Sequence, residues 1–168
     1  MCSQTSTHDA KEKQLYAWDL ARAISPRRTV RVAPIDAYGI ASGSYALVHP
    51  VEGDQPADAA PWAVHLTDRD GETWLLGLDL DDRAGTDPVA DAQAVCELLD
   101  AADIDHVVCA SGGGRGRHIW GALCEPASPE LIRQLATALT SVAPSLDTAP
   151  LLNPYTGCLR SPGACLLY

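Results

Sequence analysis

Two carboxylates stand two residues apart at the end of an apolar run, in Leu75-Leu76-Gly77-Leu78-Asp79-Leu80-Asp81-Asp82. If this run is a strand, its period of two puts Asp79 and Asp81 on one side of the sheet and Asp82 on the other. Like charges held that close repel each other and call for a cation or for solvent. Paired oxygen ligands suit Mg²⁺ or Mn²⁺. The competing reading is a solvated strand end running into a loop.

A second segment, Ser111-Gly112-Gly113-Gly114-Arg115-Gly116-Arg117-His118, lies between two strand-like runs. Glycines allow a tight turn and let a phosphate approach backbone N–H groups. Arg115 and Arg117 add positive charge. The segment is neither a P-loop, since the lysine of that pattern is missing, nor a dinucleotide fingerprint, since it leads into a strand rather than a helix. A third region holds Asp147 in Leu-Asp-Thr-Ala-Pro at 146–150, followed by Asn-Pro-Tyr-Thr-Gly-Cys-Leu-Arg-Ser-Pro-Gly at 153–163 with Arg160 as its base. Taken singly, Asp147 reads as a turn former, Arg160 as a surface residue and His118 as a partly buried histidine.

The elements that must position these residues can be read from the pattern. Residues 10–24 have helical spacing at Leu15, Trp18 and Ala21 or Arg22, and Pro26 ends the segment; residues 1–9 read as a loose tail. Strands are expected at 28–33, 44–49, 62–67, 72–80, 105–110 and 117–123, with a proline-rich loop at 50–61. Asp-Arg-Asp-Gly at 68–71 carries the signal of a hairpin between the third and fourth of these. Asp87 caps a helix that starts at Pro88 and turns Val89, Ala92, Val95, Cys96 and Leu99 to one face. Ser128 and Pro129 open another through 131–142, and 143–168 is mostly irregular with room for short strands. The order implies an α+β fold, a mixed or antiparallel sheet with flanking helices.

The chain has 168 residues, the size of a single domain, and 46% of them are hydrophobic, enough for a core. The formal charge of -10 argues against a broadly basic nucleic-acid-binding face. That charge is uneven: residues 51–105 hold 15 acidic and 2 basic groups, whereas 106–168 hold 4 basic and 3 acidic ones. Any anion-binding surface is therefore local. Ten of the 12 basic residues are arginines, which suit bidentate phosphate contacts. Of the six cysteines, Cys96 and Cys109 read as small core residues, and Cys158 and Cys165 flank a Gly/Pro turn as reduced thiols. No CxxC pair marks a zinc ribbon. The polar start and the lack of a long apolar run imply a cytoplasmic protein with no membrane partner.

In this order and separation, the three motifs resemble the archaeo-eukaryotic primase superfamily. The closer resemblance is to its bifunctional DNA primase/polymerase branch from plasmid and phage replication proteins, of actinobacterial type. The strand ending Leu78-Asp79-Leu80-Asp81 matches that family's Asp-x-Asp motif, Gly116-Arg117-His118 its small-x-His motif, and Leu146-Asp147 its third carboxylate. The 153–164 stretch resembles the segment that follows. The match covers about residues 62–164.

The resemblance implies an RRM-like catalytic core and template-directed nucleotidyl transfer. Asp79, Asp81 and Asp147 would hold two divalent ions, Mg²⁺ or Mn²⁺. His118 would contact the phosphates of the incoming nucleotide, and Ser111, Arg115, Gly116 and Arg117 would cradle them, with Arg160 meeting a further phosphate. The implied partners are a single-stranded DNA template, a primer, a ribo- or deoxynucleoside triphosphate, and a helicase or other replication module in cis or trans. The chain ends at Tyr168, where such relatives continue. That implies one catalytic domain, either excised from a longer replication protein or a minimal member. Two alternatives stand beside this reading. One is a non-catalytic nucleic-acid-binding or replication-initiation module with the same fold. The other is a different Asp-x-Asp phosphotransferase; a haloacid-type phosphatase would want Thr or Val where Arg83 stands, and a glycosyltransferase would need a larger donor domain.

Overall fold

The eight-residue strand β4 (Thr73–Leu80) carries the Asp-x-Asp motif, and the elements around it decide where its carboxylates point. The computed structural model describes residues 7–38, 41–56, 60–111 and 114–164, with backbone only for 7–14. The chain falls into two compact units: residues 65–159, and residues 1–64 together with 160–168. Both belong to the α+β class, and the sheet pairings given below are antiparallel.

In the first-named unit, β4 pairs along one edge with β6 (Arg117–Ala127) and along the other with β7 (Leu146–Asp147). Strand β5 (His106–Ala110) pairs with the far edge of β6, giving the order β5-β6-β4-β7. Leu76, Leu78 and Leu80, with Ile119 across from Leu78, line one face of this sheet and are fully buried. On the other face Gly77 sits opposite Trp120. A Cβ there would meet the Leu66 side chain at 2.5 Å and that of Leu159 at 3.2 Å, so the missing side chain lets the core close over β4 just before Asp79.

Helix α2 (Pro88–Ala101) packs on β4, β5 and β6 through Ala92, Val95 and Leu99, and α3 (Pro129–Thr140) packs on the single turn α4 (Ala149–Leu152). Both long helices begin as the sequence indicates. Asp87 Oδ1 accepts from the N–H groups of Val89 and Ala90, and Ser128 Oγ from that of Leu131, each with proline at the first position. The short strand β8 (Cys158–Leu159) ends the unit.

In the other unit, α1 (Thr7–Ile24) precedes β1 (Thr29–Val32), which pairs with β2 (Leu47–Pro50) and β3 (Trp62–His65). Trp18 is its anchor. It meets Trp62 edge to face at 5.4 Å between centroids and donates from Nε1 to the carbonyl of Gly53 at 3.3 Å.

Five expectations are corrected. The 68–71 turn forms, with Asp68 Oδ1 accepting from the N–H groups of Asp70 and Glu72 and Gly71 at φ 85°, yet it closes no hairpin. β3 pairs with β1, and both edges of β4 at its carboxylate end are taken by β6 and β7. The chain leaving β3 bonds instead to the 154–157 loop, Leu66 N to Gly157 O at 3.2 Å and Thr67 Oγ1 to Pro154 O at 2.8 Å. In α1 the inward residues are Ala17, Trp18 and Ala21, while Leu15 is exposed, and the helix starts at Thr7 inside the expected tail. Val89 lies in the first turn of α2 and points to solvent. Cys96 and Cys109 are half-buried rather than core, Cys109 because β5 is an edge strand. Residues 1–6 of the tail, Gly112, Gly113 and Cys165 lie outside the described residues.

The 150–157 loop gives a direct stability test. A Cβ on Gly157 would lie 2.0 Å from the carbonyl oxygen of Pro150 and 2.4 Å from that of Asn153, both backbone atoms. Gly157→Ala is expected to cost about 2 kcal/mol or more in urea denaturation. Gly43→Ala, with nothing within 4 Å, should stay within about 0.5 kcal/mol of the parent.

Candidate metal centre and phosphate loop

The register of the sheet assembles the site. Asp79 lies directly opposite His118 on β6 and directly opposite Asp147 on β7. Opposed residues of antiparallel strands share a face, so His118, Asp79 and Asp147 form a row across three strands, and Asp81 joins it two residues along β4. Ligand oxygens of Asp79, Asp81 and Asp147 all lie within 4.8 Å of one another. The structure brings these three carboxylates together.

The three aspartates are held in different ways. Asp81 donates its N–H to the carbonyl of Ser145 at 2.9 Å, which ties the end of β4 to the segment leading into β7. Asp147 Oδ1 accepts from Ala149 N at 3.0 Å, leaving Oδ2 turned to the cluster. His118 is buried and places Nε2 3.3 Å from Asp79 Oδ1, but the direction is poor and Oδ1 is a buried oxygen with no hydrogen-bond partner. Arg83 closes the group: its Nη2 lies 2.9 Å from Asp81 Oδ2 and 3.6 Å from Asp147 Oδ2. The hydrogen bond to Asp81, reinforced by the charges of Asp81, Asp147 and Asp79, raises the Arg83 pKa above its ordinary value.

This donor set fits a divalent cation. It offers hard oxygen ligands from three side chains, one of them a buried oxygen without a partner, and a guanidinium already stands where positive charge is needed.

The glycine-rich segment is the β5–β6 turn, as its sequence implies, with Ser111 N donating to Gly116 O at 3.1 Å. A Cβ on Gly116 would lie 2.3 Å from Ser111 Oγ and 3.2 Å from the carbonyl of Leu80, so this approach to the end of β4 requires glycine. Arg117 braces the turn, donating from Nη1 to the carbonyls of Arg115 and Gly116 at 2.9 Å each. Arg115 pairs with Asp87 at 2.6 Å, and that hydrogen bond holds the Asp87 carboxyl below its usual range. Asp82, expected on the other side of the strand from Asp79 and Asp81, is exposed and accepts the N–H of Arg115 at 3.2 Å. Arg160 belongs to the other unit.

Two contributors escape a reading of motifs. Arg83 is one. Asp91 is the other: in the first turn of α2, its Oδ2 accepts from Ser145 N at 2.8 Å, while Ser145 O accepts from Asp81. One helix carboxylate thus fixes the segment that links two members of the cluster. The only signal in the sequence is an acidic residue in a first helical turn, where the helix dipole alone would explain it.

No protein-family model matches the chain, and no curated protein matches it. Among solved structures it is similar to the polymerase domain from Mycobacterium tuberculosis Ligase D in complex with DNA. The TM-score is 0.55 at 18% identity, over 94% of this chain and 76% of that one. This establishes a shared fold. Among the described residues, no helix is long and apolar enough to cross a membrane.

Removing the Asp91 carboxylate leaves the N–H of buried Ser145 without its acceptor. Asp91→Ala is expected to lose about 1–3 kcal/mol in urea denaturation, and Asp91→Asn, which still offers an oxygen, to keep most of it.

Proposed function

We propose that this chain is a metal-dependent nucleotidyltransferase of the primase/polymerase type, which extends a primer on a single-stranded DNA template from nucleoside triphosphates. The observation that carries this reading is the convergence of Asp79, Asp81 and Asp147 within 4.8 Å on one sheet face. The order of motifs and the fold shared with a polymerase domain described with DNA support it.

Asp79, Asp81 and Asp147 would hold two Mg²⁺ or Mn²⁺ ions. Bound ions of this kind lower the pKa of an attacking hydroxyl and hold a triphosphate and its leaving pyrophosphate. The chain's own residues do the rest. His118, buried opposite Asp79 with Nε2 3.3 Å from Asp79 Oδ1, would contact phosphate oxygens. Ser111, Arg115, Gly116 and Arg117 of the β5–β6 turn would cradle phosphates through N–H and guanidinium groups, Arg117 from opposite Leu80 at the end of the sheet. Arg115 would exchange Asp87 for a phosphate in doing so. Arg160 would meet a further phosphate of nucleotide or template. With phosphate contacts confined to these arginines, template affinity should fall steeply with salt. A replication helicase or similar module would supply further grip on DNA.

The test is extension of a labelled primer on single-stranded DNA with Mn²⁺ or Mg²⁺ and all four dNTPs, with NTPs in a parallel arm. Template-directed extension is expected, reduced at least about 100-fold by Asp79→Ala/Asp81→Ala. Absence of both extension and metal-dependent nucleotide binding would sink the reading in favour of a non-catalytic module.

A further inference from the structure

Arg83 lies two residues beyond Asp81, in the loop that leaves the metal-binding strand. Its position is built rather than incidental. Its N–H donates to the carbonyl of Asp81 at 3.0 Å, and its carbonyl accepts from Thr86 N at 3.1 Å and from Thr86 Oγ1 at 2.9 Å. Gly85 supplies the left-handed φ of 87° that this tight turn needs. The turn folds Arg83 back over the strand it has just left, and a single nitrogen, Nη2, reaches Asp81 Oδ2 and Asp147 Oδ2 together. The side chain is still 48% exposed, so it can swing out to water without unpacking a core.

A guanidinium bridging two carboxylates does electrostatically what a divalent ion would do there. It offsets the repulsion of three converging acids, but with one charge in place of two and without accepting oxygen ligands into a coordination sphere. The same oxygens cannot serve both cations at full strength. We propose that Arg83 is a built-in counter-cation, which holds Asp81 and Asp147 together in the metal-free protein and competes with the divalent ion for them. This inference rests on the metal-centre reading of the three aspartates. Metal entry then requires Arg83 to give up these contacts. The freed guanidinium is left at the rim of the site, where the anionic phosphates of a nucleotide would take it up. Binding of nucleotide and of metal should therefore reinforce each other through this residue.

The probe is Mn²⁺ alone, with free ion followed by electron paramagnetic resonance during titration of the full chain. Arg83→Ala and Arg83→Gln are compared with the parent, and Arg133→Ala on α3, whose partner is Glu130, serves as a charge-loss control. Arg83→Ala and Arg83→Gln are expected to bind Mn²⁺ about three- to tenfold more tightly, and Arg133→Ala to match the parent within about twofold. In EDTA both Arg83 variants should melt below the parent, and saturating Mn²⁺ should raise their melting temperature by more than it raises the parent's. Addition of dATP should tighten Mn²⁺ binding by a larger factor in the parent than in either variant. Mn²⁺ affinity unchanged or weakened by both substitutions would overturn the competition while leaving the metal centre standing. Absence of Mn²⁺ binding in every protein, parent included, would overturn the metal centre and the competition together. Because two substitutions of different size are read by binding and by melting, a folding defect in one does not decide the result.

Discussion

The register of one strand governs the site. Asp79 has β6 on one side and β7 on the other, so its face is set by two ladders at once. A slip of one residue in β4 would turn Asp79 and Asp81 into the leucine-lined interior and bring Leu78 and Leu80 out. The buried face forbids that slip, because Leu76, Leu78 and Leu80 would lose their apolar surroundings. Carboxylate placement is thus enforced from behind, by apolar residues that never touch the site. Gly77 sharpens the boundary from the front, since Leu66 and Leu159 close over it and the exposed part of the face begins only at Asp79.

Such a cluster carries its own electrostatic problem. Three aspartate carboxylates within 4.8 Å of one another repel. Burial makes this worst at Asp79, whose Oδ1 finds no hydrogen bond. The fold answers with the Arg83 guanidinium beside Asp81 and Asp147, and it uses Asp91 to lock the 145–147 segment from outside. The supports are of different kinds. Asp91 works through a hydrogen bond to backbone, whereas Arg83 works through a charged hydrogen bond and an ion pair to the carboxylates themselves. Replacing one therefore tests stability, and replacing the other tests competition.

Local chemistry in the sequence revealed much of this. Period-two spacing put Asp79 and Asp81 on one face, the glycines of 111–116 marked a strand-to-strand turn, and Asp87 and Ser128 marked helix starts. What escaped was non-local. The Asp-Gly turn at 70–71 is indistinguishable in sequence from a hairpin turn, and only the competition of β6 and β7 for the edges of β4 decides otherwise. Leu15 and Val89 satisfy helical periodicity yet fall outside the buried stripe, because a short window cannot say which of two adjoining stripes meets a neighbour. The Asp91–Ser145 bond spans 54 residues and carries no local mark. Arg83 was visible as a misfit to one phosphatase motif, but its pairing with Asp147 depends on β7 lying beside β4.

The arginines proposed to meet phosphate share one property that bears on affinity. Arg115 is paired with Asp87, Arg117 with the carbonyls of residues 115 and 116, and Arg83 with Asp81 and Asp147. An incoming anion therefore gains the difference between its own contacts and those it displaces, not the full strength of three arginines. In a chain of formal charge -10 this has a second consequence. Polyanions that offer only backbone phosphate must break the same pairs without bringing a cation to replace them at the carboxylates. On the proposed reading, a ligand that arrives with divalent metal would compensate Asp81 and Asp147 as it takes Arg83 away. On that reading, the arrangement of acids would favour anions that carry metal, a selectivity that a freely basic patch would not have.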